Sequence, residues 1–392
     1  MLNNFIDTLP PAYRWPVQLC IVSTATTYIL SVITANVSQV DRLWTFLPTI
    51  YTAYFALLPL WPNEQPFFLC PYSPKDLGWT VATDFSPRAL LMFGLVFIWM
   101  CRLSYNTYRR GLFSLTDEDY RWAVLRKQLS PFLFQVTNLT FIAATQNVLL
   151  LLLGLPTMSA STLQPHTGLA LSDIALGSLA LAVLALEFTS DNQQYSFQTY
   201  KHAFLASEKG KSKVEPYDVM KQWPGSRLNW TPEDARRGFV TKGLWAYVRH
   251  PNFACEQSFW WIITLMPLLS PSPPCQLSFS FYFSRLPSLS ELIKNFPKAL
   301  YPVLEENKPA LELLIHTLPA LALTALFFSS TIYTEAITQG KYDAYKAYQE
   351  RVGMFKFMTT WQKGLQLAWR GRKEEVEAAV WGSGERGVRK SE

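Results

Sequence analysis

The sequence predicts an all-α, polytopic integral membrane protein, and three observations carry that prediction. Only 16% of its 392 residues are charged while 49% are hydrophobic and 15% aromatic, where soluble domains carry about 25% charge. Val17–Val40, Leu43–Trp61, Pro131–Pro156 and Gln257–Ser284 contain no charged residue, and each approaches the roughly 20 residues a spanning helix requires. Basic residues are distributed unevenly between the connections, which gives an orientation.

Three more spans complete a count of seven. Ala89–Cys101 is short, but Arg88 and Arg102 at its ends can extend toward the headgroups. Ile174–Leu186 and Leu313–Tyr333 are the other two. The first span begins near residue 17 with no basic leader and no small-residue cleavage site, so it reads as a retained helix rather than a signal peptide. With seven spans, 28 of the 35 Lys and Arg residues fall on one face of the membrane. The positive-inside rule then places the amino terminus in a lumen or outside and the carboxyl terminus in the cytosol. The formal net charge of +6 is explained by basic loops beside anionic lipid, and no nucleic acid is needed.

The five cysteines, Cys20, Cys70, Cys101, Cys255 and Cys275, lack metal-ligand spacing and are odd in number, which indicates neither a zinc site nor a disulfide scaffold. No internal repeat is apparent. The stretch from Lys201 to Arg237, with Pro216, Pro224, Gly225 and Pro232 among charges, reads as a cytosolic loop. Residues 372–392 have the charged, small-residue character of a mobile tail. The whole of 1–392 is read as one integral membrane domain.

Three polar groups lie at span ends on the predicted cytosolic side. Asn252 and Glu256 are four residues apart at the entrance of an apolar run and share a helix face. A carboxylate at the bilayer centre costs about 2.5–3.5 kcal/mol or more, so such acids generally face protein or a wet cavity; an interfacial anchor is the plainer alternative. In EFTSDNQQYSFQ, Glu187, Asp191, Gln194 and Gln198 form a stripe at helical spacing, as a solvated helix end also does. Glu335 is followed by Tyr342, Tyr345, Tyr348 and Arg351, a pattern shared with an aromatic belt. Predicted topology puts all three groups on one face of the membrane, where they can converge on one cavity with Arg249 and His250.

The stretch GLWAYVRHPNFACE, residues 243–256, resembles the signature Gly-Leu-Trp-x-Tyr-Ser-Arg-His-Pro-Asn-Tyr-Phe-Gly-Glu of the steroid 5-alpha-reductase-like membrane family, with about ten of fourteen positions agreeing. EFTSDNQQYSFQ is similar to the preceding family helix, and YDAYKAYQERVGMFKF to the closing Tyr-x-x-Tyr segment. SQVDRLW and RLSYNTYRRG resemble the fungal branch, whose substrates are unassigned. The likeness extends from Ser38 to Phe357.

What the resemblance implies is a reductase of lipid metabolism, usually resident in the endoplasmic reticulum, whose part 131–358 holds NADPH or NADH. It assigns Glu187, Asp191, Gln198, Tyr247, Arg249, His250, Asn252, Glu256, Glu335, Tyr345 and Tyr348 to the cofactor. Arg249 is expected to pair with a phosphate, and Asn252 with Glu256 to orient the nicotinamide amide. The sequence departs from the family at Glu187, where the steroid reductases have Asn, and at Gln198, where they have a basic residue. Ala254 and Cys255 replace the usual aromatic and Gly. Reducing the double bond of a lipophilic enone, such as a sterol, steroid or polyprenol, also needs a proton donor at the carbonyl, and Asp41 and Tyr105 are the candidates. Two other readings remain open. The Arg-His-Pro element and the closing Glu and Tyr segment are also similar to membrane methyltransferases that use S-adenosylmethionine, and the departures suit a non-catalytic protein retaining the fold.

Overall fold

In the computed structural model of the protein, residues 2–73, 84–210, 215–282, 288–296 and 298–382 are described, and every regular element among them is helical. The longer helices are α1 (Pro11–Thr34), α2 (Leu47–Ala56), α3 (Pro87–Arg109), α4 (Pro131–Thr162), α5 (Leu171–Glu208), α6 (Pro251–Leu268) and α7 (Lys308–Lys341). Three shorter ones follow: α8 (Tyr345–Arg351), α9 (Phe357–Trp369) and α10 (Lys373–Trp381). Ser-Pro pairs start two of the long helices. The hydroxyls of Ser86 and Ser130 accept from the backbone of Ala89 and Leu133, and Pro87 and Pro131 occupy the first turn, where a missing N–H costs nothing.

Five helices, α1, α3, α4, α5 and α7, are long and apolar enough to cross a bilayer. The protein is therefore an all-α polytopic membrane protein. The other two expected segments fold differently. Within Leu43–Trp61 the helix is only the ten residues of α2, bracketed by Pro48 in its first turn and Pro59 beyond its end, whose ring cannot continue an α ladder. In place of Gln257–Ser284 stands the 18-residue α6, which starts earlier, at Pro251, and stops before the Pro271, Pro273 and Pro274 cluster. Conversely, α5 outruns the expected Ile174–Leu186 by more than twenty residues, because the polar residues beyond Leu186 are packed inside protein.

The chain divides into two compact units, one of residues 1–180 with 260–324, the other of 181–259 with 325–392. In the first, α1 buries four of its polar residues, Gln18, Ser23, Thr27 and Ser31, and exposes Ile29, Val32 and Ile33, as expected where the surrounding solvent is lipid and polar groups are best satisfied within the protein. Two α4 amides meet this face. Asn138 Nδ2 donates to Ser31 Oγ at 2.8 Å, and Asn147 Nδ2 to Thr27 Oγ1 at 3.2 Å. Nine residues in an α-helix are roughly two and a half turns and would place these amides on opposite sides. Asn138–Thr145 winds instead as π-helix, whose i→i+5 ladder takes more residues per turn and brings nine residues close to two whole turns. The winding is thus what lets both amides reach α1.

Elsewhere in this unit, Arg88 clasps Asp173 through Nε–Oδ1 at 2.7 Å and Nη2–Oδ2 at 3.1 Å, and donates to Gln164 Oε1 at 3.0 Å. Trp99 and Trp260 meet edge to face at 5.0 Å. In the second unit the apolar core has two parts, one of Phe239, Tyr345, Tyr348, Val352 and Val380, the other of Phe197, Trp230, Val240 and Trp245. Val380 belongs to α10, so the segment expected to be a mobile tail is helical over Lys373–Trp381, with Val376 and Val380 spaced to share its buried face. Residues 383–392 of that expectation lie outside the described ones.

Candidate functional site

The second unit assembles the site from the stretch 243–256, the polar end of α5, the end of α7 and the segment after it. Gly243 opens the stretch with φ +65°, and a Cβ there would lie 2.5 Å from Gln193 Oε1. That same oxygen accepts the Leu244 N–H at 2.9 Å, so position 243 needs both a left-handed backbone and no side chain. Trp245 then donates its indole N–H to the Ser190 carbonyl at 3.2 Å, and its own carbonyl accepts the Tyr348 hydroxyl. The next residues are laced to the chain after α8: the Arg249 N–H donates to the Gly353 carbonyl at 2.9 Å and the His250 N–H to that of Met354 at 3.2 Å.

Glu335, buried on α7, is the hub. Its Oε1 accepts from Arg249 Nε at 2.7 Å, His250 Nε2 at 2.8 Å and the Tyr345 hydroxyl at 3.2 Å. Its Oε2 accepts from Arg249 Nη2 at 3.0 Å and Gln349 Nε2 at 2.9 Å. A buried carboxylate is tolerated only when paired and hydrogen-bonded in this manner. Arg249 Nη1 reaches the carbonyls of Gln349 and Val352. With Nε2 facing the carboxylate, His250 is fixed in orientation, and its Nδ1 carries no hydrogen bond among the described residues. Burial, and then the Glu335 charge, push the Tyr345 phenol above its ordinary range, and burial does the same for Tyr348. Both are protonated donors at neutral pH.

Beside the hub, Asn252 Nδ2 donates to Asp191 Oδ1 at 3.2 Å while its own Oδ1 accepts the Phe253 N–H at 3.0 Å. Glu187, Asp191 and Glu256 are all buried. The structure thus joins Arg249, His250, Glu335 and Tyr345 directly, sets the Tyr348 ring edge to face against Tyr345 at 5.8 Å, and pairs Asp191 with Asn252. Glu187 and Glu256 share the helices of that pair. Gln198 is half-buried on α5. Tyr247 is exposed, its ring 5.9 Å from Phe357. The two proposed proton donors belong to the first unit. Asp41 accepts from Trp122 Nε1 at 2.9 Å, and burial, outweighing its hydrogen bonds, pushes its carboxyl up. Tyr105 is exposed, with the Arg109 guanidinium 5.1 Å from its ring centre.

One expectation is redirected: the bidentate partner of Arg249 is Glu335, so its fork is already engaged within the protein. Sequence reasoning missed Gln349, Gln193, Gly353 and Thr360. Gln349 stands one helical turn after Tyr345, a spacing that could have flagged it. Gln193 had a quieter signal, being adjacent to the Gln194 that the stripe selected.

Fold and site together define a helical membrane protein whose second unit is built around a buried carboxylate held by guanidinium, imidazole, phenol and amide. The chain belongs to the family described as protein of unknown function (DUF1295), whose model matches residues 27–273. It is also similar to the uncharacterized protein C594.04c of Schizosaccharomyces pombe, with 29% identity over 326 residues, covering 83% of this chain and 74% of that protein. No solved structure matches it.

Proposed function

We propose that this protein is a membrane-embedded reductase that uses NADPH, or NADH, to saturate the carbon–carbon double bond of a lipophilic enone of the sterol, steroid or polyprenol class. The observation that carries this reading is the convergence of Arg249, His250, Tyr345 and Gln349 on Glu335, with Arg249 and His250 in the stretch 243–256 that resembles the steroid 5-alpha-reductase-like signature. In this reading the amino terminus faces a lumen, the carboxyl terminus faces the cytosol, and the membrane is that of the endoplasmic reticulum.

The residues present fit the donor groups of a dinucleotide. Ribose hydroxyls and a carboxamide NH2 need acceptors, and Glu187, Asp191 and Glu256 supply them, with Asn252 placed by Asp191. His250 Nδ1 offers a further hydrogen bond. Arg249 acts by fixing Glu335 and the chain at 349–353 rather than by gripping phosphate. The cofactor supplies the hydride. What the protein adds is orientation and the exclusion of water by a site buried within helices. Asp41 and Tyr105 stay the two acid candidates.

A second reading has one observation in its favour. Four carboxylates, Glu187, Asp191, Glu256 and Glu335, stand against one guanidinium among these residues, which suits a cationic cofactor such as S-adenosylmethionine. Thermal unfolding of the full chain in detergent with NADPH, NADH or S-adenosylmethionine separates the two, because a ligand at 100 times its dissociation constant stabilises by about 2.7 kcal/mol. Stabilisation by a nicotinamide nucleotide that disappears in Asp191→Asn and Asn252→Ala supports the reductase. Stabilisation by S-adenosylmethionine alone replaces it with a methyltransferase, and stabilisation by none leaves a non-catalytic membrane protein.

A further inference from the structure

We infer that α9 is an interfacial helix that lies in the headgroup plane of an anionic lipid leaflet and braces the candidate site from there. The inference is independent of which cofactor the site takes. Phe357, Met358, Trp361, Leu365 and Trp369 are all exposed, Trp369 at 89%, and at 3.6 residues per turn they fall within one contiguous third of the helix circumference. A second third, Thr360, Gly364 and Leu367, is packed inward. The remaining arc carries Gln362, Gln366 and Arg370, exposed and polar. A helix with one protein face, one apolar face and one polar face has a fixed roll about its axis.

Lipid fits the apolar face better than another protein does. The second unit itself presents Leu181 and Leu186 on α5 and Phe328 and Ile332 on α7, exposed apolar side chains on helices able to cross a bilayer. Only fifteen residues separate the end of α7 from the start of α9. Two tryptophans sit on the apolar arc, and the amphipathic indole favours the membrane–water boundary. Lys356 and Arg370, at either end, are exposed and carry no ion pair among the described residues, matching an anionic headgroup layer.

The inward face links this surface to the site. Thr360 Oγ1 accepts the Gly353 N–H at 2.7 Å and donates to the Tyr247 carbonyl at 2.5 Å. Lys363 Nζ donates to the Gln349 carbonyl at 2.5 Å, and the Gly353 carbonyl holds the Arg249 N–H. Docking α9 on lipid therefore restrains the segment that positions Arg249 and Gln349 around Glu335.

The test uses the full chain in nanodiscs whose lipids carry bromine near the headgroup end or near the tail end of the acyl chains. The quenching assigned to α9 is the difference between the natural protein and Trp361→Phe/Trp369→Phe. The expected result is quenching at least roughly twofold stronger from the shallow bromines, as depth at the headgroup boundary requires, and weaker quenching when phosphatidylserine is left out. Hydrogen exchange of residues 357–369 gives a second readout: Leu365→Glu/Trp369→Glu should speed it, while Gln362→Glu/Gln366→Glu, on the polar arc, should not. Absence of quenching overturns the inference. So does a dimer that Leu365→Glu dissociates, since a second copy then covers the face.

Discussion

Arg249 and Glu335, 86 residues apart, meet in a buried two-pronged ion pair, at 2.7 and 3.0 Å. Removing one partner of such a pair strands the other, which costs about 3–5 kcal/mol, whereas replacing both with apolar groups is often neutral or stabilising. Glu335→Gln and Arg249→Met should each lower the stability of the detergent-solubilised protein by that amount. The double variant Arg249→Met/Glu335→Leu should recover much of the loss. Denaturation of the four proteins measures the coupling, and nearly additive losses would contradict the pair's place as the hub.

Gly243 predicts a smaller effect with two separable causes. Gly243→Ala should destabilise by roughly 1–2 kcal/mol from the left-handed backbone alone, plus the displacement of Gln193 that a Cβ 2.5 Å from its oxygen would force. Gly243→Ala in a Gln193→Ala background removes the clash but not the backbone cost. The second substitution should therefore cost less there than in the natural protein, and equal costs would show that crowding is irrelevant.

An acid-dependent contribution comes from Asp234. Burial raises its carboxyl, but Lys242 at 2.8 Å, the Thr231 N–H at 2.9 Å and Arg237 at 2.7 Å outweigh that and hold it below its ordinary 3.8. A folded value below the unfolded one means the stabilisation is complete above the unfolded value and is lost as pH falls through the folded one. Asp234→Asn should be less stable than the natural protein at neutral pH, with the gap closing below about pH 4. A gap that stays constant down to pH 2 would remove the linkage.

The π segment of α4 gives a fourth expectation. Polar contacts between membrane helices average about 0.6 kcal/mol in double-mutant cycles. The Asn138–Ser31 and Asn147–Thr27 pairs should each give a coupling of that order in the solubilised protein. A coupling indistinguishable from zero for both would mean that α1 and α4 are held by shape alone.

Much of the architecture is legible in the sequence because a charge-free run of about twenty residues has few alternatives to crossing a membrane. The helices α1, α3, α4, α5 and α7 all lie where such runs or their flanks predict. A charge-free run could not show that Pro48 and Pro59 would confine a helix to Leu47–Ala56, since proline adds no charge to the run while breaking the ladder. Nor could it show that polar residues from Glu187 onward continue α5 into the interior of the second unit, because a solvated helix end has the same pattern. The individual site residues were legible through their motif. Their partners were less so: nothing local to Arg249 announces Glu335, and the Gly353 and Thr360 contacts depend on a chain reversal that no periodicity encodes.

The winding of α4 has a bearing on how this chain tolerates insertion and deletion. Each residue removed from an α-helix rotates everything beyond it by about 100°, and Asn138–Thr145 already accommodates a looser count than the α ladder on either side. Loss of a single residue there would relax the segment toward ordinary winding, in which the eight remaining steps make roughly 2.2 turns, and so leave Asn147 near the side of Thr27. A one-residue deletion within Asn138–Thr145 is therefore absorbed by the winding, whereas the same deletion in an α-wound stretch between the two amides would turn one of them away by about 100°.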